Sequence, residues 1–70
     1  MSITLNRKIG ERVRELREER GWTQVEFAQK LGWPQPRVSE VERGTKEPML
    51  SRLERLAKIL RVPLTDLVQK

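Results

Sequence analysis

The seventy residues contain no cysteine and no histidine. These absences exclude disulfide staples, thiolate and imidazole metal sites, cysteine nucleophiles and histidine-based triads, and with them most routes to enzymatic chemistry. No metal and no cofactor is implied. A reducing cytosol suits such a chain, because a secreted domain this small usually needs cross-links. Aromatic residues are scarce too: Trp22, Phe27 and Trp33 are too few for a stacking platform on single-stranded nucleic acid. No apolar run approaches the ~18 residues of a membrane span, and the opening Met1-Ser-Ile-Thr-Leu-Asn-Arg-Lys turns polar too soon for export. The expected location is cytoplasmic, with no membrane partner.

What is present in quantity is charge. Lys and Arg number 15 against 10 Asp and Glu, a formal +5 that suits a polyanion such as nucleic acid or an anionic membrane surface. A solvated surface on an ordinary helical domain accounts for the same composition. The membrane alternative is weaker, since the first helical segment alternates Arg and Glu and lacks a segregated basic face. The length allows one domain, residues 1–70, which as a monomer would bury only about 60% of its unfolded surface.

Hydrophobic periodicity resolves five short helices. Ile9, Val13 and Leu16 line one face of a first helix between Asn6 and Arg20, with Asn6 as its predicted N-cap. Gly21 supplies a left-handed stop. Thr23-Gln-Val-Glu26 then has the form of a capping box, and Trp22 and Phe27 stand where a hydrophobic staple would join them. The second helix buries Val25 or Phe27, with Ala28 and Leu31, and ends at Gly32. Pro34 and Pro36 are tolerated at the start of a third helix, where Trp33 can staple onto Val38; Val38 and Val41 face inward, and Gly44 closes it. After a loop from Thr45 to Pro48, Leu50, Leu53, Leu56, Ala57 and Leu60 mark a fourth helix. Leu64, Leu67 and Val68 mark a short fifth one. The predicted fold class is all-α, a compact five-helix bundle.

Thr23 to Arg43 therefore comprises a capped helix, a tight turn containing glycine and a second short helix, the spacing of a DNA-binding helix-turn-helix. Ala28 is small where the second helix crosses, and Val38 and Val41 anchor that helix with its other face free. Helical hairpins without a ligand use the same devices. The residues Thr23-Gln-x-Glu-x-Ala-Gln-Lys-Leu-Gly32, Gln35, Val38-Ser-x-Val-Glu-Arg-Gly44 and Pro48 go further: they resemble the Cro/C1-type (XRE-like) helix-turn-helix family of phage and bacterial transcriptional regulators. The resemblance runs from about Ile9 to Leu67. It implies a lambda-repressor-like fold and sequence-specific binding of double-stranded DNA by a repressor-like regulator.

Carried onto this sequence, the resemblance implies base contacts from Gln35, Pro36, Arg37, Ser39 and Glu40. A carboxamide at Gln35 can pair bidentately with adenine, Pro36 offers only apolar contact, and Arg37 suits either guanine or phosphate. Glu40 is open to two readings, acceptance from cytosine or simple solvation. Gln24, Arg43, Thr45 and Lys46 are implied backbone contacts, which position without reading sequence, Gln24 being open also to a base at the edge of the site. Arg17 and Glu42 are implied to form a mostly buried salt bridge. Leu64 and Val68 are the expected dimer contacts, since the fifth helix is too short to bury all its apolar residues; a homodimer on a palindromic operator follows. Trp22 and Trp33 read as core rather than as base-stacking groups. The alternative function is a protein-interaction helix-turn-helix module, such as an antitoxin or bridging factor. Any sensing or toxin-binding domain is expected to lie outside these residues, whether the chain is a complete regulator, an excised domain or an engineered one.

Overall fold

Five helices follow one another in the computed structural model, which describes residues 3–68: α1 (Ile3–Glu19), α2 (Gln24–Leu31), α3 (Gln35–Arg43), α4 (Leu50–Leu60) and α5 (Leu64–Val68). No strand occurs among the described residues. Local signals set most of the helix ends. The Thr23 hydroxyl accepts from the Glu26 backbone N–H at 3.1 Å, and the Glu26 carboxylate accepts from the Thr23 N–H at 2.8 Å. Donation from the Thr23 backbone and hydroxyl-side bonding hold the exposed Glu26 carboxyl below the usual glutamate range. The Trp22 and Phe27 rings stack with centroids 5.8 Å apart, as the staple predicts.

Helix α1 begins earlier than its sequence suggests. Asn6 is not its cap but an interior residue, buried three positions before Ile9 on the stripe that continues through Val13 and Leu16, and its Oδ1 has no hydrogen-bond partner. The apolar period already assigns that position to the inner face; its polarity disguised it. On α2, Phe27 is fully buried and Val25 is 55% exposed, because residues two apart on a helix cannot share a face. Leu50, expected on the apolar face of α4, is 62% exposed at the helix's first residue.

One buried cluster joins Ile9, Val13 and Leu16 of α1 to Phe27, Ala28 and Leu31 of α2, Val38 and Val41 of α3, the inner face of α4 and Leu67 of α5. At about 1.5–3 kcal/mol for each large side chain taken from water, this cluster is the main stabilising element. Two glycines let α3 approach α1. A Cβ on Gly10 would stand 2.4 Å from the Val41 carbonyl oxygen and 2.5 Å from that of Glu42, and one on Gly44 would stand 2.7 Å from Arg7 Cα. Arg12 fastens α5 to α1, its Nη2 donating to both Asp66 carboxylate oxygens at 3.0 and 2.9 Å. Helix α3 is thus seated on α1 and α2 by backbone contact and core burial, and its opposite face is left outward.

Candidate nucleic-acid interface

Helix α3 divides its residues sharply. Val38, Val41 and Glu42 are buried, whereas Pro36 and Arg43 are exposed and Gln35, Arg37, Ser39 and Glu40 are half-buried at the rim. Pro34 caps the helix without a side-chain bond, and Pro36 lies in the first turn, where its missing N–H breaks no helical hydrogen bond. Gly44 ends the helix in the left-handed conformation, φ 67°, and donates its N–H to the Glu40 and Val41 carbonyls. The five residues proposed from sequence to read bases therefore share one turn-and-a-half of helix and its outward surface.

A row of hydrogen bonds runs from the core to this surface. Arg17 donates Nε to Glu42 Oε2 at 2.6 Å and Nη2 to Glu42 Oε1 at 3.1 Å, and its Nη1 donates to the Trp22 carbonyl at 2.7 Å. The hydrogen bonds to Glu42 raise the Arg17 pKa above that of ordinary arginine, despite the opposing effect of burial. Gln24 then donates Nε2 to Glu42 Oε1 at 3.0 Å, and Gln35 donates Nε2 to Gln24 Oε1 at 2.6 Å. The buried Arg17–Glu42 pair that the resemblance implies is present, and it is bidentate. That Gln24 and Gln35 are bonded to each other was not foreseen, because 11 residues and a turn separate them.

Three further contacts hold the outward residues. The Arg37 guanidinium carbon lies 5.6 Å from the Trp33 ring centroid, so Trp33, half-buried against the core, also carries a cation on its face. Lys46 Nζ stands 3.3 Å from Glu40 Oε2, which pairs two of the residues expected to touch DNA. Thr45 folds back to α3, its N–H donating to the Glu40 carbonyl at 3.3 Å. Arg43 is exposed beside it. Leu64 is half-buried and Val68 is 37% exposed on α5, while Leu67 is fully buried. Among the described residues no group of three or more acidic side chains gathers to hold a metal ion, and no helix is long and apolar enough to cross a membrane.

Comparison with known proteins places this geometry. A helix-turn-helix family profile matches residues 13–67. The chain is 33% identical over 60 residues to the immunity repressor protein of Bacillus phage phi105, covering 86% of this chain and 42% of that protein. It is 39% identical over 57 residues to the cryptic phage CTXphi transcriptional repressor RstR of Vibrio cholerae, covering 81% of this chain and 51% of that protein. The chain thus spans about half the length of these curated relatives. Among solved structures, the restriction-modification controller protein C.AhdI from Aeromonas hydrophila superposes with a TM-score of 0.83 at 34% identity, over 89% of this chain and 94% of that one. With its capped second helix, glycine turn and outward third helix, the chain belongs to the Cro/C1-type helix-turn-helix family.

Proposed function

We propose that this chain binds a specific double-stranded DNA operator through the outward face of α3 and acts as a repressor-like transcriptional regulator, working as a homodimer on a near-palindromic site. The observation that carries the reading is the state of Gln35. Its Nε2 spends one hydrogen on Gln24 Oε1, and a carboxamide has a second Nε2 hydrogen and an Oε1 acceptor remaining. Those two groups are what adenine N7 and N6 require. Gln35 can therefore read adenine without releasing Gln24, and the bond to Gln24 fixes the plane in which it does so.

The remaining residues take graded roles in this reading. Pro36 offers its ring to a thymine methyl, and Ser39 and Glu40 follow along the groove wall. Arg37 reaches guanine or phosphate from its position over Trp33. Gln24 and the N–H groups that open α2 face the backbone on one side, with Arg43, Thr45 and Lys46 on the other. Two relatives are named repressors and a third protein is named a controller, which supports regulation as the outcome of binding. Half-exposed Leu64 and Val68 on a helix of 5 residues support pairing of two copies there. Selection from a random duplex library at two salt concentrations tests the proposal: it predicts enrichment of one symmetric motif. Sequence-independent retention would favour the protein-interaction alternative instead.

A further inference from the structure

Away from α3, Trp22, Ile59 and Leu60 form the apolar part of an open depression of about 680 Å³, and its other lining residues are Arg20, Lys30, Lys58 and Arg61. Among the described residues no carboxylate lines it. The cations come from three segments: Arg20 follows α1, Lys30 lies in the last turn of α2, and Lys58 and Arg61 end α4. Part of this charge is structural. Arg20 donates to the Leu16 carbonyl at 2.8 Å and to that of Leu60, and basic residues in last turns complement the helix dipoles. Lys30 Nζ sits 4.8 Å from the Trp22 ring centroid. The side chains of Lys58 and Arg61 are exposed and make no ion pair among the described residues.

We propose that this depression docks an acidic peptide segment of a partner protein, with one apolar side chain seated on Trp22 and Ile59 and carboxylates placed on Lys30, Lys58 and Arg61. Charge complementarity carries the choice of occupant. A small carboxylate would engage one or two of cations spread over separate helices, whereas an extended acidic segment engages all of them. Duplex DNA presents its phosphates on a regular backbone with no protruding apolar side chain, and would leave the half-buried Trp22 and Ile59 without one seated on them. The site lies off the outward face of α3, and Trp22, two residues before Gln24, is where it comes nearest in sequence to the residues assigned to DNA. None of its lining residues belongs to α3 or to the loop after it, and α4, 11 residues long, carries its C-terminal end ~16 Å from that loop.

Trp22 reports on its own pocket once Trp33→Phe leaves it the sole indole. That protein is titrated with a synthetic peptide of glutamates flanking a single leucine, with the same peptide carrying serine for leucine, and with a random-sequence duplex. A saturable change in Trp22 emission is expected for the leucine peptide, weaker binding for the serine peptide, and a loss of about tenfold or more in affinity on joint Lys58→Glu and Arg61→Glu substitution. In the chain with Trp33 intact, the same two substitutions should leave the helical signal and the affinity for the selected operator in place. Equal binding of the serine peptide, a response to the duplex that matches the peptide's, or indifference to the charge reversals would overturn the proposal. Failure of the unaltered chain to select any duplex, with peptide binding retained, would overturn the DNA reading alone.

Discussion

Arg17 and Glu42 meet across the α1–α3 interface in a two-bond fork, both side chains nearly inaccessible to solvent at 10% and 3% exposure. Glu42 is also where Gln24 binds, so one carboxylate links the core to the surface that we assign to DNA. Removing it leaves a buried guanidinium whose side-chain hydrogen bonding among the described residues is reduced to the Trp22 carbonyl. Glu42→Ala should cost about 3–5 kcal/mol in a denaturant melt, whereas joint replacement of Arg17 and Glu42 by apolar residues of similar volume should cost far less. A Glu42→Ala melt that coincides with that of the unaltered chain would mean the pair contributes nothing to stability.

Gly10 yields a prediction of opposite sign to intrinsic propensity. In an isolated helix, Gly→Ala is favourable by about 1 kcal/mol. Here the added Cβ would meet two α3 carbonyl oxygens at 2.4 and 2.5 Å, both of them backbone atoms that cannot rotate away. Gly10→Ala should therefore destabilise the protein, by about 1–3 kcal/mol as overpacked sites do. A rise in melting temperature would show that α1 and α3 can separate freely at this point.

How much of this was legible in the sequence depended on the range of the signal. The capping box at Thr23, the staple of Trp22 on Phe27 and the stop at Gly44 are local patterns, and all are present. Asn6 failed as a cap because a polar residue on a buried stripe looks the same, in sequence, as one that ends it. Gly10 gave no signal: its role exists only where another helix's backbone crosses it. The site behaved likewise. Candidate residues for it could be proposed from the motif, but the bonds between Gln24 and Gln35, and between Lys46 and Glu40, arise from tertiary packing and a loop return.

The pairing of Lys46 with Glu40 refines what is expected of the phosphate contacts. Lys46→Ala and Arg43→Ala should each weaken binding to all duplexes and reduce the salt slope by about one unit. Titrations over a range of salt concentrations measure this directly. Glu40→Ala should do the reverse for affinity, since it frees Lys46 and removes a repulsive carboxylate from the DNA face. A slope that does not change in either cation variant would return that residue to the solvated surface.

Assembly is tested at the fifth helix. Val68 is 37% exposed and Leu67 is fully buried, so Val68→Glu alters the proposed interface without entering the core. The variant should keep its helical circular dichroism and lose cooperative occupancy of a two-half-site operator. Sedimentation of the saturated complex should give two chains per operator with the unaltered protein. One chain per operator, or cooperativity retained in Val68→Glu, would remove the dimer from the account.

The central claim is that α3 reads sequence through Gln35, and it is tested most directly by comparing Gln35→Ala with the unaltered chain on two duplexes, the selected operator and a scrambled one, in the same salt. Loss of a bidentate base contact should weaken operator binding by about 1–3 kcal/mol and leave the scrambled duplex nearly unaffected. Equal losses on both duplexes, or no loss on either, would contradict it.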